Sequence, residues 1–286
     1  MRLTWLVNDL AGPGDDGRPP LVAEHGLAFW IETPDGCVLF DTGGSGEVLL
    51  GNMRRLGVDP ADADALVLSH AHDDHSGGLE GMLPLLRPGI PLYAHPTLFT
   101  PRYSAKQGRP VSRGMRLGAE ELGRRLSLRL EATPQEVLPG VWTTGEIAER
   151  PEPEGRSPYH QVVEGGQYLP DPYADDMSMV LRVEGGVFLL CGCCHAGLLN
   201  TLRHVQRAWR QPIVGLAGGV HMSGADAATM ERTVRAVAAL EGLQHVWLSH
   251  CSGDAFMARM ACIAHVMPPG SYRAGQAGQR LELVQG

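Results

Sequence analysis

The chain has 286 residues, 43% of them hydrophobic, 6% aromatic and 20% charged, with a formal net charge of −8 at pH 7. That length supports one large domain or two small ones and a core that needs no disulfide staples. The composition excludes a disordered, collagen-like or coiled-coil chain. The acidic balance argues against a general nucleic-acid binder, and no apolar run reaches the ~20 residues of a membrane span. Met1 to Asp9 is a short mixed stretch with one Arg and neither a secretory h-region nor a small-residue cleavage site, so no secretory leader is expected. The six cysteines (Cys37, Cys191, Cys193, Cys194, Cys251 and Cys262) lack the spacing of an extracellular framework. These readings predict a cytoplasmic protein with neither a membrane nor a nucleic-acid partner.

Apolar runs predict strands over 3–8, 21–32 and 37–40, the last after the turn Pro34-Asp35-Gly36. Helical spacing over 47–56 stops at Gly57. A buried-type strand over 65–69 runs straight into a histidine cluster, followed by a short helix over 79–86 and a strand over 91–95. The segment 97–136 differs in charge. It holds eight basic residues (Arg102, Lys106, Arg109, Arg113, Arg116, Arg124, Arg125 and Arg129) against two acidic ones between them, Glu120 and Glu121. The stretch 149–176, rich in Pro, Gly and Glu, reads as a long loop, and loops of that length are usually functional or disordered. Strands over 179–183 and 187–191 follow, joined by Glu184-Gly185-Gly186. A helix over 198–209, a strand over 213–217, a helix over 225–240, a strand over 246–249, a helix over 255–265 and a strand over 280–284 complete the chain. Each half runs strands first, then strands alternating with helices. Such elements bury themselves by packing in layers. Two sheets between two helical layers fit the length and the duplicated order. The expectation is a single mixed α/β domain over 1–286, with 97–136 as a basic insertion.

The densest chemical signal is Ser69-His70-Ala71-His72-Asp73-Asp74-His75-Ser76-Gly77-Gly78. A strand that stops and turns can aim several side chains at one point. Imidazole nitrogen and carboxylate oxygen are the donors taken by Zn²⁺ and related divalent ions. Three neutral imidazoles crowded together without a metal leave polar groups unpaired. No Walker-type phosphate loop is present, and Gly43-Gly44-Ser45-Gly46 lacks the spacing of a serine-hydrolase nucleophile elbow.

The His-x-His-x-Asp-His pattern over 70–75 resembles the signature of the metallo-β-lactamase-fold superfamily, and Leu39-Phe40-Asp41-Thr42-Gly43 resembles its strand-to-loop Asp-Thr-Gly element. Four further segments resemble a branch known as dihydropterin ribofuranosyl-aminobenzene 5′-phosphate synthase-like. They are Ala23-Glu24-His25-Gly26-Leu27, Gly192-Cys193-Cys194-His195-Ala196-Gly197, Gly218-Gly219-Val220-His221 and Ser249-His250-Cys251-Ser252-Gly253. The resemblance implies a four-layer αββα sandwich with one or two divalent ions, zinc first, with manganese or iron as alternatives. It implies that His70 and His72 bind one ion with His195 as third ligand, and that Asp74 and His75 bind a second ion completed by His250. Most members carry a metal-bridging aspartate after a glycine where this chain has Gly192-Cys193. Cys193 reads either as a thiolate ligand or as a small core residue. His221, at a strand end, and His25, within a strand pattern, read as ligands or substrate contacts on one view and as ordinary residues on the other. Asp41 reads as a carboxylate orienting a metal-bound imidazole. Asp73 reads as solvent-facing or capping. His95, His160, His204, His245 and His265 lack clustering and read as ordinary.

The chemistry implied is metal-assisted hydrolysis. A metal lowers the pKa of its bound water to around 7, which makes hydroxide available at neutral pH, and polarises the oxygen of the group under attack. Asp74 would orient that nucleophile. The basic stretch points to a small anionic, phosphoester-type substrate, or else to a solvated insertion. Two alternatives stand beside the hydrolase. One is a non-hydrolytic synthase acting on a pterin or phosphoribosyl-type substrate. The other is a non-catalytic metal or thiol sensor built on Cys191, Cys193, Cys194 and Cys251. A site closed by four or more protein ligands favours the sensor, and an open coordination position favours the enzyme.

Overall fold

Side chains of a strand alternate between two faces, and in β1 (Arg2–Val7), β2 (Ala28–Thr33) and β3 (Gly36–Phe40) both faces are buried. Leu3, Trp5, Phe29, Ile31, Val38 and Phe40 pack on one side, and Leu6, Ala28, Trp30 and Leu39 on the other. A sheet buried on both faces needs two covers, and the rest of the chain supplies them. A computed structural model describes residues 1–12, 19–152, 155–263 and 272–286.

The first half continues with α1 (Gly46–Leu56), β4 (Ala65–Val67), α2 (Asp73–Ser76), α3 (Leu79–Met82), β5 (Pro91–Ala94), β6 (Arg102–Ser104), β7 (Val111–Ser112), α4 (Ala119–Gly123) and β8 (Ser127–Leu130). The second runs through β9 (Glu136–Leu138), β10 (Val141–Thr143), β11 (His160–Glu164), β12 (Gln167–Pro170), β13 (Ser178–Val183), β14 (Gly186–Cys191), α5 (Leu198–Trp209), β15 (Ile213–Gly218), α6 (Ala227–Ala238), β16 (His245–Leu248), α7 (Asp254–Ile263), β17 (Tyr272–Ala274) and β18 (Arg280–Glu282). One seven-stranded sheet has the order β18-β1-β2-β3-β4-β5-β8, antiparallel as far as β3 and parallel beyond it. The other has the order β17-β16-β15-β14-β13-β10-β9, parallel from β14 to β17 and antiparallel on its other side. A small antiparallel sheet, β12-β11-β6-β7, stands apart from both.

Three cores follow from the alternation. Between the sheets lie Trp5, Phe29 and Phe40 of the first against Met179, Phe188 and Trp247 of the second. Leu49, Met53 and Leu56, on one face of α1, cover the outer side of the first sheet. Leu202 and Val205 of α5, with Val234 and Val237 of α6, cover the outer side of the second. The layers are therefore helix, sheet, sheet, helix: the expected αββα sandwich. Trp5 is fully buried, 4.9 Å from the ring of Phe29 and 5.3 Å from that of Trp247. Trp5→Ala should cost about 3–5 kcal/mol, read as a lower urea midpoint with an unchanged m-value. A loss below about 1 kcal/mol would mean that the sheets close over the gap.

Local chemistry sets the boundaries. Ser45 caps α1 by accepting from the Val48 N–H at 3.3 Å, and Gly57 ends it at φ 72. The strand expected over 21–32 starts only at Ala28. Upstream, the Glu24 carboxylate leaves any ladder to accept from the Gly44 and Ser45 N–H groups, both at 3.0 Å. The helix expected over 79–86 gives way to a 3₁₀ turn at Leu83–Leu85, where Pro84 has no N–H to offer. The stretch 149–176 is not all loop. It carries the β11–β12 hairpin, whose turn residues Gly165 and Gly166 both have positive φ. The end of the helix expected over 255–265, with His265, lies outside the described residues.

The parallel strands of both sheets end on the same side of the molecule. Asp41 follows β3, the histidine cluster follows β4, Cys193 follows β14, His221 follows β15 and His250 follows β16. Carboxyl ends of parallel strands are where α/β sheets place their sites. The loops of the two sheets meet so closely here that a Cβ on Gly192 would stand 2.2 Å from Ser69 Oγ.

Candidate metal centre

His70, His72 and His195 are buried and offer donor atoms within 4.8 Å of one another. Two of the rings are oriented by chains that end on groups able only to accept. His195 Nδ1 lies 2.7 Å from the Gly155 carbonyl oxygen, so Nδ1 carries the hydrogen. Its Nε2 is buried with no hydrogen-bond partner. Ser69 Oγ lies 2.7 Å from Asp41 Oδ2 and 2.8 Å from His70 Nδ1. The hydroxyl donates to the carboxylate and accepts from His70, which leaves His70 Nε2 with a lone pair, 3.0 Å from His72 Nδ1. Burial, reinforced by neighbouring imidazoles, pushes all three histidines well below their ordinary pKa. Neutral imidazoles around an orphaned buried nitrogen fit a divalent ion.

Asp74, His75, Cys193 and His250 form the second group, again with donors within 4.8 Å. His75 Nδ1 donates to Asp41 Oδ2 and His250 Nδ1 donates to Asp9 Oδ1, both at 2.7 Å. Both Nε2 atoms therefore face inward, 3.3 Å apart. Two lone pairs at that distance repel unless a proton or a cation lies between them. Cys193 Sγ is 3.1 Å from His75 Nε2, and Asp74 Oδ2 is 3.3 Å from His250 Nε2. Burial opposes protonation of His75, but Asp41 and Asp74 outweigh it and raise the pKa. Burial likewise opposes it at His250, where Cys251, Asp74 and Asp9 prevail and raise the pKa further. Such a pocket demands positive charge, which a divalent ion supplies in place of protons. Burial pushes the Cys193 thiol up, and a coordinated metal would deprotonate it outright. The ring centroids of His70 and His75 are 4.3 Å apart, so the two groups adjoin.

The structure brings every predicted site residue to this end. Asp41 touches His75 directly and His70 through Ser69. His25 is exposed at the mouth, with Nδ1 2.9 Å from Asp9 Oδ2 and Nε2 3.4 Å from Asp74 Oδ2. His221 packs against His195 at 4.3 Å between centroids, its backbone N–H directed at Cys251 Sγ. Five of the six non-glycine residues with positive φ among the described residues lie here: Asp41, Tyr173, Cys194, His221 and His250. Strained backbone of this kind collects at functional sites.

Other residues escaped the sequence reading. His160, read as ordinary, sits on β11 with its ring 4.7 Å from that of His72. Its only sequence signal was a place in the long segment 149–176. Asp9 carries no spacing that ties it to His250. Asp175 and Asp176, both pushed up to about 6 by burial, accept from the Ala71 and Ala196 N–H groups at 2.8 and 2.9 Å and so brace both histidine loops. Asp73 pairs with Arg113 at 3.2 Å. The basic stretch is likewise not one solvated face. Arg102 is buried, Arg124 pairs with Glu120, and Arg125 donates to the carbonyls of Leu83, Pro84 and Leu86.

The sequence profile of the Metallo-beta-lactamase superfamily matches residues 21–196. The chain is 28% identical over 269 residues to the 7,8-dihydropterin-6-methyl-4-(beta-D-ribofuranosyl)-aminobenzene-5′-phosphate synthase of Methanocaldococcus jannaschii, covering 88% of each chain. A crystal structure of a metal-dependent hydrolase of the beta-lactamase superfamily superposes with a TM-score of 0.81 at 25% identity, covering 100% of both chains. Zn²⁺-bound PqqB from Methylobacterium extorquens shares the fold, with a TM-score of 0.55 at 13% identity over 99% of this chain and 100% of that one.

Proposed function

The chain belongs to the metallo-beta-lactamase superfamily, and on that premise we propose that it is a cytoplasmic, metal-dependent hydrolase of a small anionic, phosphoester-type metabolite. The observation that carries this reading is a group of three histidine donors beside a group of four donors of mixed chemistry. Four donors close a tetrahedral site, whereas three leave a coordination position for water or substrate. Divalent ions bound there, zinc first, would activate water at neutral pH and polarise the oxygen under attack. His70, His72 and His195 would hold one ion, and Asp74, His75, Cys193 and His250 the other. Asp41 and Asp9 fix the imidazole tautomers, and Asp74, at the mouth, orients the nucleophile. His25, His160 and His221 surround the substrate's approach.

Purified protein should contain two equivalents of divalent ion. Chelation should abolish hydrolysis across a panel of phosphodiester, lactone and thioester substrates, and zinc, manganese or iron should restore it. Cobalt(II)-substituted protein should show a sulfur-to-metal charge-transfer band that Cys193→Ser loses and Cys251→Ser keeps. Retention of the band in Cys193→Ser would return Cys193 to the role of a small core residue. A loaded protein that hydrolyses nothing in the panel removes the hydrolase reading. Product formation from a pterin or phosphoribosyl-type substrate would then support a synthase, the reading favoured by the named relative of 28% identity. Inertness against both would support a sensor.

The exposed part of the basic stretch tests the substrate class. The charges of Lys106 and Arg116 bear on His160 and Asp73. Neutralising both should lower kcat/KM for a phosphorylated substrate by up to about tenfold and flatten its salt dependence, since exposed charges are screened over about 10 Å at 0.1 M salt. Equal losses on a neutral substrate of similar shape would end the steering argument.

A further inference from the structure

We propose that Arg102 is a positioning residue for the group formed by His70, His72 and His195, an inference that rests on reading those histidines as a metal site. Arg102 opens β6 and is only 2% exposed. A buried guanidinium is costly unless paired on several sides, and this one is. Its Nε donates to Asp171 Oδ2 at 3.1 Å, one terminal nitrogen forms an ion pair with Asp175 Oδ1 at 2.7 Å, and the other donates to the carbonyls of Thr97 and Thr100 at 3.4 and 3.2 Å.

The second oxygen of Asp175 braces the histidine loop, and that of Asp171 holds the tyrosine packed on the third histidine. Asp175 Oδ2 accepts from the Ala71 N–H at 2.8 Å, on the backbone between His70 and His72. Asp171 Oδ1 accepts from the Tyr173 N–H at 2.7 Å. Tyr173, at φ 50, lays its ring on His195 with centroids 4.4 Å apart and planes 9° from parallel. One guanidinium thus reaches the backbone that carries two of the histidines and the ring that seats the third. Arg102 also pairs in register with Val162 of β11, the strand that sets His160 against His72. The group of Asp74, His75, Cys193 and His250 is held instead by Asp9 and by Asp41, the latter shared with His70 through Ser69. Arg102 makes no hydrogen bond or ion pair with any of those four residues.

The test uses the full chain loaded with cobalt(II) or zinc, with the affinity of each ion measured by chelator competition. Arg102→Met should weaken one ion of the two by about 10–100-fold and leave the charge-transfer band of the Cys193 group unchanged. Arg102→Lys keeps the buried charge but loses the planar fork. It should weaken the same ion by a smaller factor, and it serves where Arg102→Met does not fold. A merely structural role would weaken both ions together with the melting temperature, and that result, or unchanged affinities in Arg102→Lys, overturns the proposal. Wild-type protein that binds no ion at the histidine group defeats the metal-site reading and this inference with it. Two ions in the wild type with unaltered variants defeats this inference alone.

Discussion

Replacing Asp74 by alanine should lower kcat/KM on a phosphoester by about 10²–10³-fold while the protein stays folded. The side chain sits in the first turn of α2, with Oδ2 3.3 Å from His250 Nε2, 3.4 Å from His25 Nε2 and 4.0 Å from His75 Nε2. It faces the mouth rather than any of the three cores, so its removal opens no apolar cavity. What disappears is the carboxylate that would join the second ion and align the attacking water. Steady-state kinetics should be read beside circular dichroism and metal content. Full activity would take Asp74 out of the mechanism. Global unfolding would identify the ion as structural.

Asp41→Ala should produce the largest combined loss. The wild-type carboxylate accepts from the Ser69 N–H, the Ser69 hydroxyl and His75 Nδ1, each at 2.7 Å, and is fully buried. A buried donor left without its partner costs about 1–3 kcal/mol, so three of them should lower stability by roughly 3–6 kcal/mol allowing for relaxation. The φ of 59 adds to this, because alanine tolerates the left-handed region less well than aspartate. Since Asp41 orients His75 directly and His70 through Ser69, both ions should weaken, by about 10–100-fold each. Asp41→Asn, which keeps one acceptor and the backbone preference, should fall between. A urea melt of the metal-free protein and chelator competition on the loaded one separate the two effects. Wild-type affinity for both ions in Asp41→Ala would show that ring orientation is set elsewhere.

What the sequence made legible was local. Residues 70–75 adjoin along the chain, so their convergence after β4 could be read directly, and the apolar run from Ala65 announced a buried strand leading into them. Partners distant in sequence were not legible. Asp9 and His250 are 241 positions apart, and only the meeting of the two sheets joins them. His160 reaches His72 because β11 pairs with β6, a register that composition does not encode. The excess of arginine over 97–136 carried no information about direction, so Arg102 counted as one more surface charge although it points inward. The apolar pattern over 21–32 extends the expected strand past the polar pair Glu24 and His25, of which the fold uses Glu24 to hold the start of α1 and His25 to face Asp9.

Each of the two donor groups draws on both sheets: His70 and His72 come from the loop after β4 and His195 from beyond β14, while Asp74 and His75 face Cys193 and His250. An ion seated in either group would therefore be a cross-link between two halves of the molecule otherwise joined by apolar packing and by hydrogen bonds such as His250 to Asp9 and Ala71 to Asp175. A ligand bound only by the folded state adds about 2.7 kcal/mol when its free concentration is a hundred times its dissociation constant. Two such ions would contribute as much as a sizeable fraction of a typical domain's whole stability. Resistance to unfolding would then track the free metal of the surrounding compartment, and metal starvation would loosen the seam between the sheets as well as stop the chemistry.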